Sequence, residues 1–362
     1  MSPESNDVLE IQQQAILETK VTGPITVGQI VAEVAENYDF NGQKPKYLSP
    51  LSRGLETRKY TFWTRQDAHL LKIYDQSAST GYRFRLRNVV GLERKLKAAD
   101  IPIAESELTK KGNHFLVIDR RVTPSRSYEV AFAVSKVFPG RALTAPSLED
   151  VQKMAEYMAR IHQIKDYGVV PAMDSWSFLR FIRDNDIYSY PVPIFYAPKF
   201  VRNDLKDVLE VIAPIVKNLR ALDLENEKKF PKTLIHGDLH PFNILKGKGG
   251  KFCILDLGCM DYQQRIADLA IFMSNTCADF TDLEKTKRLF TATVEAYESH
   301  NHLTREEKEG LSTLIQANYA MFSLRTAELL QKDPDNKEVR EWHEHGLNGL
   351  KMMEKILRGR TS

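Results

Sequence analysis

In the segment Leu234-Ile235-His236-Gly237-Asp238-Leu239-His240-Pro241-Phe242-Asn243-Ile244-Leu245, a carboxylate, Asp238, stands five positions before a carboxamide, Asn243. A second carboxylate, Asp256, follows thirteen positions later, just past the apolar run Phe252-Cys253-Ile254-Leu255. Gly247, Gly249 and Gly250 can turn the chain back between them, so the flanking apolar segments are expected to pair as a hairpin that brings Asn243 close to Asp256. Two hard oxygen ligands meeting in this way suit Mg2+, which is commonly held by few protein groups plus phosphates. Asp238 is then left to orient a hydroxyl nucleophile. An aspartate near an asparagine is usually only a turn, and the weight comes from the whole set.

These loops need rigid elements on either side. Residues 1–24 are polar, end in Thr22-Gly23-Pro24 and read as a loosely attached lead-in. Ile30, Val31 and Val34 then lie at helical spacing. Between Lys46 and Val137 the chain is strand-rich. Lys59-Tyr60-Thr61-Phe62-Trp63-Thr64 and His69-Leu70-Leu71-Lys72-Ile73-Tyr74, separated by Arg65-Gln66-Asp67-Ala68, predict a hairpin. A helix is expected around Val89–Lys97, and further strands at His114–Asp119 and Glu129–Ser135. Strands, one helix, then strands is an α+β pattern rather than repeated βαβ units. Past Phe138-Pro139-Gly140 the pattern becomes helical. Ser147, with Asp150 three residues on, caps a helix whose Val151, Met154, Ala155, Met158 and His162 share a face. Helices are predicted at 204–222, 282–300, 304–331 and 336–358, the third opened by the capping-box pattern Thr304-Arg305-Glu306-Glu307. The strand- and turn-like stretch 233–258 interrupts them, as a functional insert would. The expected organisation is a lead-in at 1–24, one lobe at 25–137 and a helical lobe at 138–362.

Composition narrows the class. Fifty-one basic and 48 acidic residues leave a net charge of +3, too small an excess to mark nucleic acid or anionic lipid as the main partner. Three cysteines, Cys253, Cys259 and Cys277, contain no CxxC pair, which speaks against a disulfide framework or a cysteine zinc site. The first twenty residues are acidic and lack an apolar signal core, and no stretch approaches the ~18 apolar residues of a membrane span. A soluble, cytoplasmic protein without a membrane partner is expected.

The spacing H-x-D-x-x-x-x-N followed by Asp256 resembles the catalytic and metal loops of protein-kinase-like enzymes, with Gly237 and Leu257 where protein kinases carry Arg and Phe. The H-G-D form is similar to that of the aminoglycoside phosphotransferase/choline kinase family of small-molecule kinases, and within it the segments Ile25–Tyr74 and H-G-D-L-x-P-x-N look most like homoserine-kinase-like members. The resemblance runs from about Ile25 to the chain end. It implies a protein-kinase-like bilobal fold: a small N-lobe with an antiparallel sheet and one helix, and a larger, mainly helical C-lobe. Lys72 resembles the lysine that contacts the nucleotide phosphates and Glu93 the helix glutamate that pairs with it. Leu51–Thr57 looks like the phosphate loop, though it holds the single glycine Gly54 where protein kinases use three. Arg53 either joins the backbone there in cradling phosphate or faces solvent. The stretch around Ser135 and Val137 resembles the hinge whose backbone meets adenine. Met158-Ala159-Arg160-Ile161-His162 and Asp268-Leu269-Ala270 match further family segments.

What the resemblance implies for function is transfer of the γ-phosphate of ATP, or of GTP, to a hydroxyl of a small molecule. Asp238 would serve as the base and Asn243 and Asp256 would hold Mg2+. An amino alcohol, amino acid or sugar-like acceptor is expected, with an aminoglycoside as alternative. A silent nucleotide-binding regulator would normally have lost one of Lys72, Asp238, Asn243 and Asp256, all present here, and a protein kinase is disfavoured by Gly237 and by the lack of an A-P-E segment. Trp176, Asp184, Asp186, Tyr188, Tyr190, Asp261 and Asp279 are the candidates to line an acceptor site. His162 is expected to be a satisfied core histidine, His236 structural, and His240 either a substrate contact or exposed. Asp268 is expected to brace the catalytic loop. His300/His302 and His343/His345, spaced by two, suit no zinc pair on one helix face and read as surface.

Overall fold

The computed structural model describes residues 16–21, 26–41, 43, 45–51, 58–65, 67–75, 81–123, 126–165 and 212–359. The chain divides into two compact units. One comprises Met1–Arg141, Tyr167–Met173 and Leu245–Gly258; the other comprises Ala142–Asp166, Asp174–Ile244 and Cys259–Ser362.

The first unit is built on a six-stranded sheet of β1 (Ile16–Val21), β2 (Lys46–Leu51), β3 (Arg58–Trp63), β4 (Ala68–Asp75), β5 (Phe115–Thr123) and β6 (Arg126–Lys136), in the order β1-β5-β6-β4-β3-β2. The predicted hairpin forms, with Lys59 directly opposite Lys72 and Phe62 opposite His69. Side chains alternate across the sheet. Leu71 and Ile73 of β4 and Phe62 of β3 join Ile30, Val34 and Tyr38 in one buried cluster. These last three are four residues apart along or just past helix α1 (Val27–Asn37), which opens with a capping box between Thr26 and Gln29. Phe115, Val117, Ala131 and Ala133, on the opposite face, pack with Val90 of helix α2 (Gly81–Ala98). Lys72 pairs with Ala133 across β4 and β6 and therefore shares the α2 face.

One strand was not anticipated. Within the lead-in, β1 runs parallel to β5, with Ile16 opposite Phe115. Its sequence, ILETKV, alternates poorly, and its pairing depends on a partner about a hundred residues away. Three short strands, β7 (Gly140–Ala142), β9 (Ile244–Gly247) and β10 (Phe252–Ile254), form a second sheet in the order β10-β9-β7. The β9–β10 connection closes through Gly247 N–H donating to the Lys251 carbonyl at 2.8 Å, as the glycine-rich turn predicts.

The second unit is mainly helical. Ser147 caps α3 (Leu148–Ile161) through a capping box with Asp150. A helix over 212–221 (α4) leads to β8 (Lys232–Ile235), which pairs antiparallel with β11 (Asp261–Gln264). α5 (Ile266–Phe272), wholly buried, runs on as a π-helical turn over Met273–Cys277. α6 (Leu283–Glu298), α7 (Arg305–Lys332) and α8 (Lys337–Arg358) complete it. Thr304 and Glu307 make the predicted capping box. α7 and α8 pack so closely that a Cβ at Gly349 would fall 2.2 Å from the Tyr319 ring. Among the described residues no helix is long and apolar enough to cross a membrane.

The reading of His343 and His345 as surface residues is corrected. His343 is buried and bonds to Thr326 Oγ1 at 3.0 Å and Ser323 O at 3.2 Å. His345 packs among Phe280, Tyr319, Phe322 and Trp342, and burial lowers its imidazole to about 4. Val339, His343 and Leu347 are spaced by four along the buried stripe of α8, a periodicity that outweighs the polarity of the ring. His300 and His302 are exposed as expected.

Candidate active site

In the second unit the loop between β8 and β9 is shaped by its own side chains. Asn243 Nδ2 donates to the Asp238 carbonyl at 2.9 Å and to Asp238 Oδ2 at 2.7 Å, so the five-residue spacing closes a compact loop. His240 caps the 3-10 turn Pro241–Asn243, its Nδ1 accepting from Phe242 N–H at 3.2 Å while Nε2 lies 3.5 Å from Asp238 Oδ2. His236 is fully buried, and its Nδ1 accepts from the Asp238 amide at 3.3 Å, a structural role as expected.

A buried carboxylate holds this loop from beneath. Both oxygens of Asp268, on α5, accept backbone N–H bonds at 2.7 Å, from His236 and from Gly237. His162 Nε2 lies 3.1 Å from Asp268 Oδ2 and His162 Nδ1 2.7 Å from the Tyr297 hydroxyl, so both ring nitrogens are satisfied. Asn301 bonds to the same hydroxyl at 3.2 Å and receives Arg265 at 2.6 Å; Arg265 also grips Glu307 with two bonds, at 2.9 and 2.8 Å. Glu307 is the capping-box residue of α7, so the start of that helix and the candidate catalytic loop are tied into one hydrogen-bonded chain. Burial pushes the Asp268 carboxyl up, but the bonds from His162 and the loop amides outweigh it and hold the group below its ordinary value.

Gly237 explains why this loop has H-G-D. Its φ is +79° and a Cβ there would sit 2.7 Å from the Cys259 carbonyl oxygen. Gly237→Ala is expected to lower stability by about 1–3 kcal/mol and to reduce turnover by displacing Asp238. Thermal denaturation checks the first part, and an unchanged melting temperature would contradict the close approach.

In the first unit, Asp256 lies just past β10 in a left-handed conformation, φ +61°, which for a non-glycine residue costs about 1–2 kcal/mol. Lys72 Nζ is 2.6 Å from Asp256 Oδ1, and Lys59 Nζ is 3.7 Å from Oδ2. Glu93, on α2, is buried beside Ser106, whose hydroxyl donates to it at 2.9 Å, with His114 Nδ1 at 3.6 Å. Desolvation raises the Glu93 carboxyl to about 7 against the Ser106 hydrogen bonds, which lower it. Val137 N–H donates to the Ala68 carbonyl at 2.9 Å, and Ser135 lies inside β6, opposite Leu70 and bridged to Ser106. Arg53 and Gly54 fall outside the described residues, as do Trp176, Asp184, Asp186, Tyr188 and Tyr190. Asp279 is tied to Thr281 and Lys285, whose bonds hold its carboxyl at about 2, and Asp261 accepts from Tyr262 N–H and Gln263.

The chemistry of Asp256 and of Asn243, each taken by itself, suits a hard divalent cation. In the first unit Asp256 offers carboxylate oxygens whose charge draws two ammonium groups; in the second, Asn243 spends its Nδ2 on Asp238, which leaves its Oδ1 able to meet a cation. Among the described residues no group of three or more His, Cys, Asp or Glu could hold a metal ion by itself.

The sequence profile of the phosphotransferase enzyme family matches residues 48–306. No curated protein matches the sequence. Among solved structures, an amicoumacin kinase in complex with AMP-PNP, Ca2+ and Ami is similar, with a TM-score of 0.64 at 16% identity over 91% of this chain and 94% of that one. A microcompartment-associated aminopropanol kinase gives 0.63 at 14% identity over 92% and 98%. A spectinomycin phosphotransferase in complex with ADP and spectinomycin gives 0.62 at 12% identity over 91% and 98%. At these identities the likeness establishes the protein-kinase-like fold.

Proposed function

Since the chain belongs to the phosphotransferase enzyme family, we propose that it transfers the γ-phosphoryl group of ATP, with Mg2+, to a hydroxyl of a small molecule: an amino alcohol, amino acid or sugar-like metabolite. The observation that carries the reading is the pairing of Asp238 with Asn243, held from beneath by Asp268.

Phosphoryl transfer passes through a loose transition state, so the protein mainly positions groups and offsets charge. Asp238 accepts the hydrogen bond of the acceptor hydroxyl. As the new O–P bond forms and the bond to the β-phosphate oxygen breaks, Asp238 takes the released proton and the nucleoside diphosphate leaves with the electron pair. Asn243 and Asp256 would hold Mg2+, which would supply charge neutralisation of the polyphosphate. Lys72, held by Glu93 of α2, would contact the α- and β-phosphates. Arg53 and the backbone at Gly54 complete the phosphate contacts. Adenine meets the backbone of Ser135 and Val137, at Val137 through the carbonyl because the N–H serves the sheet.

Nucleotide consumption measured across a panel of amino alcohols, sugars and aminoglycosides tests the reading. Saturable turnover on one small amino alcohol or sugar supports it, turnover on an aminoglycoside moves the acceptor to the alternative, and tight nucleotide binding with no turnover on any compound rejects it. Asp256→Ala is expected to abolish the Mg2+ dependence of nucleotide binding by calorimetry. An Mg2+ titration unchanged from wild type would remove Asp256 from the metal site.

A further inference from the structure

Lys59 has no part in the scheme so far, yet it faces the same carboxylate as Lys72. It is the second residue of β3, directly opposite Lys72 across the hairpin, and directly opposite residues project from one face of a sheet. Its neighbours Tyr60 and Phe62 pack toward the α1 side, so alternation directs Lys59 to the α2 side with Lys72. The two ammonium groups straddle Asp256, Lys72 on Oδ1 and Lys59 on Oδ2. All three side chains are about four-fifths buried, with exposures of 17%, 23% and 24% for Lys72, Lys59 and Asp256.

Like charges directly opposite on a sheet repel, so the pair needs an anion held in common. Asp256 supplies it here. Were that carboxylate to hold a divalent cation, both lysines would need another anion at the same place. A nucleoside triphosphate brings one. Lys59 also lies two residues past Leu51–Thr57, the segment that resembles a phosphate loop. We propose that Lys59 is a second phosphate-binding lysine, exchanging Asp256 for the polyphosphate of the metal–nucleotide complex and so favouring triphosphate over shorter nucleotides. The inference rests on the nucleotide-binding reading above.

Calorimetry of Mg-ATP, Mg-ADP and adenosine binding, without acceptor, on wild type, Lys59→Met and Lys59→Arg tests it. Lys59→Met is expected to raise the Kd of Mg-ATP by about 10- to 100-fold, the size of one charge-assisted hydrogen bond. The Kd of Mg-ADP should rise less and that of adenosine should not move, while Lys59→Arg recovers most of the loss. Mg-ATP affinity in Lys59→Met within twofold of wild type would overturn the role of Lys59. An equal loss for adenosine and Mg-ATP would also overturn it, as a structural effect. Absence of Mg-ATP binding by wild type would overturn both this inference and the reading beneath it.

Discussion

Asp238→Asn is expected to lower kcat by about 10³- to 10⁴-fold, the upper range for loss of a positioned general base. The carboxamide keeps the size of the carboxylate, and the side chain is one-third exposed, so the substitution disturbs little packing. It removes the oxygen that must receive the acceptor's proton and sets an amide against the Asn243 Nδ2 that now donates at 2.7 Å. Nucleotide affinity should survive, because Lys59, Lys72 and Asp256 are untouched. Steady-state kinetics with nucleotide calorimetry separate the two effects. Near-normal phosphate transfer by the variant would mean that another group is the base.

Asp268→Asn should do its damage through folding. The carboxylate accepts two backbone N–H bonds at 2.7 Å and faces His162, all out of water. An amide can accept through one oxygen only, so its NH2 would point at one loop amide and leave two donors face to face. Breaking a buried charged network by removing one partner costs about 3–5 kcal/mol, and chemical denaturation should show a loss of that size together with loss of activity. The pH dependence has a definite sign. The Asp268 carboxyl lies below its ordinary value in the folded protein, so its contribution is present above the unfolded value of about 4 and is lost as pH falls through the folded one. Wild type should therefore lose stability on acidification below about pH 4 more steeply than Asp268→Asn. Parallel acid-unfolding curves for the two proteins would show that the group is not held as an anion.

Much of the frame is legible in the sequence because its signals are local. The hairpin of β3 and β4, the capping boxes at Ser147 and Thr304 and the glycine turn after β9 each depend on residues a few positions apart. The Asp238–Asn243 loop belongs with them, since a side chain five residues on can reach back without help from the rest of the fold. The sequence also places Asp268 twelve residues after Asp256, and as expected it braces the loop, accepting the His236 and Gly237 amides.

The long-range partners carry no such signal. Strand β1 looks like a polar lead-in until β5 is there to pair with it. His343 and His345 look like surface until α8 turns their stripe toward α7, whose Thr326 and Tyr319 meet them. Lys72 lies 184 residues from Asp256, and His162 lies 106 from Asp268. From residue order alone came the local elements, the spacing of the reactive oxygens and the class of chemistry they suit, because backbone stereochemistry and periodicity act over one or two turns of chain. Only the tertiary structure decided that Lys59 joins Lys72 on one carboxylate, that Gly237 must lack a side chain beside the Cys259 carbonyl, and which buried groups neutralise one another. Those outcomes depend on which desolvated charges and donors meet across the fold, and a buried charge is stable only where a partner arrives from elsewhere in the chain.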